Sequence, residues 1–343
     1  MTNRQSHRKD EHVSLAKKFH QASTAGFADL HFVPNGLPEV AVSEVELSTT
    51  FVGHQFALPF YIEAMTGGSK YTQKLNHQLA EVAKATGVAL ALGSASVALR
   101  DKTTLPSFTV AREVNPTGFL LANVGAGATP TQAQTVVDLL QADALEVHLN
   151  VVQELVMPEG DRDFHWLTNL QQIVGQVKVP VIVKEVGFGL DQATLHRLEA
   201  IGVQTVNVGG HGGTNFAQIE NFRRPHKDLA DFNDWGLTTV QSLYEAQAVP
   251  DLQIVAAGGI TSPLEIAKAL YLGADAVGIA GAILTTLIDD GVGATITKLQ
   301  EWSFGLRAIF TALGVKNIAE LRERPVVLSS ELENYLQQRH LRP

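Results

Sequence analysis

The run QIVAAGGITSPLEIAKALYLGADAVGIAG, residues 253–281, has the form strand, helix, strand, with glycine after each strand. Its two apolar runs, Gln253–Ala257 and Ala276–Ile279, are continuous rather than alternating, which is typical of parallel strands covered on both faces. The first run leads into Gly258-Gly259 and the second into Ala280-Gly281. This stretch therefore predicts a parallel βαβ unit whose backbone stays open to a ligand at both strand ends.

The same unit recurs along the chain from about residue 60. Short apolar runs alternate with helical patterns such as Tyr71–Thr86, Thr194–Ile201 and Ile296–Leu313. Eight strands, spaced by roughly 25 to 35 residues, predict a single (β/α)₈ TIM barrel. The alternative, an open doubly wound sheet, is less favoured because no G-x-G-x-x-G motif follows the first strand. The predicted barrel strands are Phe60–Ala64, Val88–Leu92, Phe119–Ala122, Ala144–His148, Val181–Lys184, Thr205–Val208, Gln253–Ala257 and Ala276–Ile279.

Two segments depart from the even repeat. Residues 1–55 precede the barrel as an N-terminal arm and lead-in, and about 215–236 form a long insertion after the sixth strand. The insertion is rich in Arg, His, Asp, Phe and Trp, a composition more typical of a lid or an oligomer contact than of a plain loop. Since no linker separates a second domain, 1–343 is predicted to be one domain. The aromatic insertion and the N-terminal arm favour self-association, so a homo-oligomer is expected.

Composition narrows the class of protein. The chain has 343 residues, 45% hydrophobic and 18% charged, so it can bury a large core. It has no cysteine, which excludes thiolate catalysis and disulfides. A net charge of -9 gives no sign of a nucleic-acid partner. No apolar run reaches the roughly 20 residues of a membrane span, and the polar start lacks a secretory signal, so a cytoplasmic protein is expected.

The last two strand ends predict a phosphate site. In such barrels the loops after the seventh and eighth strands often bind phosphate together with a helix N-terminus. Gly258-Gly259 and Ala280-Gly281 occupy these ends, and Thr214 follows the glycine-rich end of the sixth strand. Glycines can also serve tight turns alone. The combination of three such loops nevertheless favours phosphate binding over turn chemistry.

Three polar side chains near the middle strand ends are further candidates. Lys184 ends an apolar strand, where its ammonium can stabilise an anion, unless it extends out of the barrel. His148 is either a ligand-binding group or a hydrogen-bonded core histidine. Glu154 can hold Mg²⁺ together with substrate phosphates, or can be a solvated glutamate at a helix start. The N-terminal run Arg8-Lys9-Asp10-Glu11-His12 is either a solvated helix start or a cationic arm over a phosphate.

These residues together resemble the type 2 isopentenyl-diphosphate isomerases, which are flavin-dependent enzymes on a (β/α)₈ barrel. The resemblance runs nearly end to end, and its specific part is the combination of three motifs. These are Arg8-Lys9-Asp10-Glu11-His12, Gln153-Glu154 and Pro158-Glu159-Gly160-Asp161-Arg162. Less specific matches are Met65-Thr66-Gly67-Gly68, Gly93-Ser94, Asn123-Val124-Gly125, His148-Leu149-Asn150, Lys184-Glu185-Val186-Gly187-Phe188-Gly189, Gly258-Gly259 and Gly281.

The resemblance implies an isomerase that interconverts isopentenyl and dimethylallyl diphosphate without net redox change, with reduced FMN acting as acid and base. It also implies Mg²⁺ and NADPH or NADH as the reductant of the flavin. Carried over by position, the FMN residues are Met65, Thr66, Ser94, Asn123, Lys184, Thr214, Gly258, Gly259, Ala280 and Gly281. The substrate residues are Arg8, Lys9, His148, Asn150 and Gln153, the metal ligand is Glu154, and the residues implied in catalysis are Gln153, Lys184 and His148.

One position departs from the family pattern. Many members follow the second strand with Gly-Ser-Gln-Arg, whose arginine meets substrate phosphate, whereas this chain has Gly93-Ser94-Ala95-Ser96. The nearest arginine is Arg100. Either the Ser96 hydroxyl replaces that contact or Arg100 reaches the phosphate.

Two other functions remain open on the residues alone. A flavin-dependent 2-hydroxy-acid oxidoreductase on the same barrel needs a late-strand histidine with a nearby arginine, for which His211 and Arg223-Arg224 are the candidates. A non-catalytic phosphate-binding barrel is the third possibility, and failure of the purified protein to retain FMN would favour it.

Overall fold

Eight parallel strands close into a barrel in the computed structural model, which describes residues 10–11, 13–15, 19 and 23–341. The predicted TIM barrel is confirmed, and each of its strands lies beside its chain neighbour. The last barrel strand closes on the first, with Val277 opposite Phe60 and Ile279 opposite Ile62. The strands in chain order are β1 Leu30–Phe32, β2 Thr49–Phe51, β3 His54–Phe56, β4 Phe60–Ile62, β5 Leu90–Ala91, β6 Leu120–Gly125, β7 Ala144–Leu149, β8 Val181–Glu185, β9 Thr205–Asn207, β10 Gln253–Ala257, β11 Ala276–Ile279 and β12 Val326–Leu328.

Helices follow the barrel strands and begin at residues that cap them. Ser69, Thr129 and Thr238 each accept a hydrogen bond from the backbone N–H three residues later, which satisfies a group left open at a helix start. The α-helices are α1 Lys70–Thr86, α2 Ser96–Arg100, α3 Pro106–Val114, α4 Pro130–Leu140, α5 Val151–Val156, α6 Leu167–Gln176, α7 Gln192–Ala200, α8 Phe216–Arg223, α9 Thr239–Ala246, α10 Pro263–Tyr271, α11 Gly281–Leu313, α12 Ile318–Arg322 and α13 Ser330–Arg339. Short 3₁₀ turns cover Phe27–Asp29, Val42–Glu44, Lys102–Thr104 and Ala230–Asp234.

Helix α11 starts earlier than the sequence pattern predicts. The periodic stretch Ile296–Leu313 is only its second part, and the helix begins at Gly281, directly after the eighth barrel strand. Gly291 breaks the helical geometry with φ 83° and ψ -176°, so two helices meet there at a kink. The first part places a helix N-terminus at the strand end, where such barrels bind phosphate.

An aromatic plug closes the amino-terminal end of the barrel. The hairpin of β2 and β3 packs under the strands, and Phe51 stacks on Phe56 and on Tyr61 at centroid distances of 4.5 and 5.7 Å. Phe56 in turn meets Phe119 edge to face at 5.0 Å. Because this end is filled with rings, a ligand has access to the interior only from the carboxyl ends of the strands.

Strands outside the barrel join the two ends of the chain. β1 pairs antiparallel with β12, with Leu30 opposite Leu328. Helix α13 is tied to helix α9, because Arg339 and Tyr335 both donate to the buried Glu245. Within the described residues, none of the helices is both long enough and apolar enough to cross a membrane.

Candidate active site

A cavity of about 550 Å³ opens at the carboxyl ends of the barrel strands. Its volume is typical of a site for a cofactor or small ligand. The structure brings together every predicted site residue that it describes, and all of them line this cavity. They are Met65, Thr66, Ser94, Asn123, His148, Asn150, Gln153, Glu154, Lys184, Thr214, Gly258, Gly259, Ala280 and Gly281.

The predicted substrate residues Arg8 and Lys9 lie outside the described residues. Residues that follow them are placed beside the barrel mouth. Asp10 accepts a hydrogen bond of 2.6 Å from the Ser69 hydroxyl, and Val13 lines the cavity.

The glycine-rich side of the cavity is the candidate phosphate cradle, and its loops pack backbone to backbone. Gly258 and Gly259 have φ values of 108° and 69°, which favour glycine, and a Cβ at either would lie 2.1 to 2.5 Å from a carbonyl oxygen. At Gly281 the nearest heavy atom to such a Cβ is the Thr214 hydroxyl at 3.9 Å, so there is room at the start of helix α11. First-turn N–H groups of a helix have no partner within it. This corner therefore suits a phosphate monoester such as that of FMN.

Lys184 lies at the floor of the cavity, where its ammonium group is paired with two carboxyl groups. Its side chain is 6% exposed, and Nζ lies 2.6 Å from Glu63 Oε1 and 3.5 Å from Glu146 Oε2. Tyr61 and Asn207 also donate to Glu63, at 3.0 and 2.6 Å. Lys184 thus points into the barrel, and the alternative in which it extends outward is excluded.

In a buried site, ionising two carboxyl groups beside a single ammonium group is unfavourable in free energy. Burial raises the pKa of Glu146 to about 8, and the neighbouring charge of Glu63 adds to this effect. Burial acts in the same direction on Glu63, but the Lys184 ammonium outweighs it and holds the pKa of that carboxyl below its usual value. At neutral pH the interior therefore contains Lys184 and Glu63 as an ion pair with a largely protonated Glu146.

The raised pKa of Glu146 predicts a pH-dependent stability. Folded Glu146 keeps its proton up to about pH 8, whereas in the unfolded chain it loses the proton near its ordinary pKa of 4.5. The contribution of Glu146 to the free energy of unfolding is full below the unfolded pKa and is lost as the pH rises through the folded pKa. Between the two pKa values the free energy of unfolding falls by up to about 1.4 kcal/mol per pH unit. Urea unfolding of FMN-bound protein between pH 5 and 8 should show this decline, reduced in Glu146→Gln. Parallel curves for the two proteins would contradict the assignment, and Glu159→Gln, on the surface, serves as the control.

The opposite side of the cavity carries the predicted metal and substrate residues. Asn150 precedes helix α5 and donates to Glu154 Oε1 at 2.9 Å, while the Asp161 N–H donates to Glu154 Oε2 at 2.8 Å. The Pro158–Arg162 loop is held by Arg162, which donates to the carbonyls of Met157, Glu154, Gly160 and Asp161. The loop therefore orients the Glu154 carboxylate. Within the described residues no cluster of three or more His, Asp or Glu side chains forms a ready-made metal cage. A metal at Glu154 thus needs oxygens from the substrate or water.

The insertion contributes a carboxylate that sequence reasoning missed. Glu220 on α8 is fully buried, and it accepts from Gln153 Nε2 at 3.5 Å and from Arg223 at 2.5 Å. Arg223 also pairs with Glu159 at 3.1 Å and with Glu11 at 3.4 Å. The insertion therefore joins the Pro158–Arg162 loop and the N-terminal arm, through Glu11, at the rim of the site. In the sequence, the only indication that Glu220 has a function is its position in the insertion.

The residues that a 2-hydroxy-acid oxidoreductase would need are engaged elsewhere. His211 Nε2 lies 3.4 Å from the Asn233 carbonyl, and Arg224 pairs with Asp228 at 2.6 Å. Neither of them, nor Arg223, is among the described residues that line the cavity. By contrast Arg100, at the end of α2, is exposed and lies at the cavity rim, and Ser96 lines the cavity beside Ser94.

Comparisons with known proteins show which sequences and structures this chain is similar to. A family model described as FMN-dependent dehydrogenase matches residues 11–106 and 100–328. The chain is 51% identical over 339 residues to an isopentenyl-diphosphate delta-isomerase of Latilactobacillus sakei, covering 98% of this chain and 97% of that one. A protein of the same name from Listeria innocua is 45% identical, with 96% and 93% covered.

Solved structures show the same fold at low sequence identity. A flavocytochrome b2 mutant with pyruvate bound has a TM-score of 0.69 and 19% identity, covering 94% of this chain and 84% of that one. A mandelate oxidase mutant with an FMN adduct has a TM-score of 0.64 and 15% identity, with 92% and 96% covered.

Proposed function

Because the chain belongs to the isopentenyl-diphosphate delta-isomerases and catalyses the FMN-dependent isomerisation of isopentenyl diphosphate, we propose that its barrel cavity holds FMN, Mg²⁺ and the diphosphate side by side. The observation that carries the proposal is the meeting of a phosphate cradle, a buried lysine and the Glu154 carboxylate in one cavity. The product is dimethylallyl diphosphate.

FMN fits the cavity with its phosphate at the glycine corner. Backbone N–H groups at Gly259 and at the start of α11, with the Thr214 hydroxyl, would bind the phosphate. Lys184 on the floor would then lie beneath the flavin ring and favour its anionic reduced form. The proposed FMN contacts are Met65, Thr66, Ser94, Asn123, Lys184, Thr214, Gly258, Gly259, Ala280 and Gly281. A reduced nicotinamide, NADPH or NADH, would reduce the flavin once and would not be consumed with each turnover.

The reaction moves one double bond by one carbon. A proton is added to the terminal methylene carbon and another is removed from the carbon next to the CH₂–O group, so atoms and electrons balance without an oxidant. An unactivated alkene is a poor match for an ordinary side-chain acid at neutral pH. Reduced FMN, when bound, would supply the acid and base. The chain's own residues hold the alkene against the flavin and exclude water.

The diphosphate would lie on the α5 side of the cavity. Glu154 would bind Mg²⁺, and the metal would bridge to diphosphate oxygens. His148, Asn150 and Gln153 would contact the substrate, with Arg8 and Lys9 from the N-terminal arm. Gln153 is held between Asn150 and Glu220, which suits a role in relaying protons through its hydrogen bonds.

Arg100 would supply the phosphate contact that many relatives draw from an earlier arginine. Since it lies at the cavity rim, it can reach a diphosphate that the Ser96 hydroxyl alone would bind weakly. We expect Arg100→Met to raise KM for isopentenyl diphosphate about 10-fold, from loss of one charged hydrogen bond. Ser96→Ala should change KM for isopentenyl diphosphate by less than about twofold. If instead Ser96→Ala has the larger effect, the serine makes the contact.

The first test is turnover of isopentenyl diphosphate with FMN, Mg²⁺ and a reductant, followed as dimethylallyl diphosphate. Product formation should stop when FMN is left oxidised or when Mg²⁺ is chelated. If FMN binds and is reduced but no product forms, the proposal fails. Oxidation of a 2-hydroxy acid by the same preparation would then support the oxidoreductase.

A further inference from the structure

A buried chain of hydrogen bonds connects the lysine at the cavity floor with the histidine on the substrate side. The Asn123 amide, 3% exposed, lies between the Glu146 carboxyl and the His148 ring. Its Nδ2 donates to Glu146 Oε2 at 2.9 Å, and its Oδ1 lies 2.8 Å from His148 Nδ1. The barrel register produces this contact, because Asn123 is opposite Glu146 in β7 and His148 is opposite Lys184 in β8.

Glu146 offers Asn123 an acceptor in either protonation state. Oε2 lies between two donors, the Asn123 amide and the Lys184 ammonium at 3.5 Å, so a proton on that oxygen would find no acceptor. Oε1 faces Tyr61 at 3.4 Å, on the side of the second carboxyl group, Glu63. A proton shared between the two carboxyl groups therefore lies on the Oε1 side. Oε2 remains an acceptor whether or not Glu146 is protonated.

The orientation of the Asn123 amide then determines the protonation of the histidine. Because its NH₂ group must face Glu146, its carbonyl oxygen faces His148, and two acceptors cannot share that contact. We propose that Glu146 is a positioning residue that, through Asn123, holds a proton on His148 Nδ1 and so decides what Nε2 offers to the substrate. The second half of this inference rests on the proposed contact between His148 and the diphosphate.

The consequence concerns the side of the ring nearest Gly125. His148 Nε2 lies 3.2 Å from the position that a Gly125 Cβ would occupy, on the wall of the cavity. In a neutral ring with its proton on Nδ1, Nε2 is an acceptor and would repel a diphosphate oxygen. Only the doubly protonated ring can donate from Nε2 to that oxygen, and it does so as a charge-assisted hydrogen bond. Binding of the substrate through Nε2 therefore requires imidazolium.

The proposal is tested by the ring ¹⁵N signals of His148 in FMN-bound protein, without substrate, at a pH where this ring is neutral. Glu146→Leu keeps much of the side-chain volume but offers Asn123 no acceptor, which frees the amide to flip. We expect wild type to carry the proton on Nδ1, and Glu146→Leu to show a population with the proton on Nε2. Glu63→Gln is the matched control, because it alters the same carboxyl pair but does not contact Asn123; it should keep the wild-type tautomer.

A wild-type ring with its proton on Nε2 overturns the proposal, and so does a Glu146→Leu spectrum equal to that of wild type. If Glu146→Leu does not fold, Asn123→Leu takes its place, since it removes the acceptor of the Nδ1 proton and should abolish the preference. His148→Gln assigns the signal. These spectra do not depend on turnover, so they stand even if the isomerase assay fails.

A double-mutant cycle tests the link to the substrate. The effects of Glu146→Leu and His148→Gln on kcat/KM should be non-additive, because both act on one contact. We expect the double variant to be within about twofold of His148→Gln alone, on the usual scale of such coupling. Additive losses would show that Glu146 acts on the protein independently of His148.

Discussion

Replacing Lys184 with methionine is expected to destabilise the folded protein by about 3–5 kcal/mol and to weaken FMN binding roughly 10- to 100-fold. Methionine fills much of the same space, so the effect comes from charge. Without the ammonium group, Glu63 and Glu146 remain as two buried carboxyl groups with no cation between them. Urea unfolding of the apo and FMN-bound protein, with fluorescence titration of FMN, measures both effects.

A second substitution separates charge from packing. In Lys184→Met/Glu63→Gln one of the two unpaired carboxyl groups is also removed, so part of the lost stability should return. Lys74→Met, on an exposed face of α1, controls for the change of residue type. A Lys184→Met protein with wild-type stability and FMN affinity would remove the assigned role. A double variant less stable than Lys184→Met would contradict the charge explanation.

Glu154→Gln is expected to lower Mg²⁺-dependent turnover by at least about 100-fold, beyond the usual cost of losing a group that only orients a metal ligand. Glutamine has the size of glutamate and can still form hydrogen bonds, but it lacks the negative charge that Mg²⁺ prefers. FMN affinity should stay at the wild-type value, because Glu154 lies on the α5 side of the cavity, away from the glycine corner. Turnover is measured over a Mg²⁺ titration, with FMN retention followed by absorbance.

Glu159→Gln provides the matched control for this change. It removes the same charge five residues later, in the loop that Arg162 holds against α5, where its carboxylate pairs with Arg223. It should retain most of the Mg²⁺ response. If Glu154→Gln turns over normally with the same Mg²⁺ dependence, another group holds the metal.

The sequence alone determined the fold because strands and turns carry local signals. Continuous apolar runs predicted all eight barrel strands, and Gln253–Ala257 and Ala276–Ile279 have the predicted bounds. Other bounds differ at their ends: Val88–Leu92 was expected, and only Leu90–Ala91 pairs as a strand. Pairing depends on the neighbouring strand, which an apolar run does not describe. The cavity-lining residues could be predicted because they lie near the carboxyl ends of strands, immediately follow them or open the next helix.

The tertiary structure decided the contents of the barrel floor. Lys184 and Glu63 are 121 residues apart in the chain, and Tyr61 and Glu146 are 85 apart, yet they meet inside one barrel. Glu146 and His148 stand two residues apart in one strand, so their side chains lie on the same face of it. That spacing does not reveal which side chains of other strands they meet, since closure and register are properties of the whole sheet. The sequence therefore determined the barrel and the residues at its mouth, whereas the pairing of buried charges that sets their protonation depends on the closed barrel.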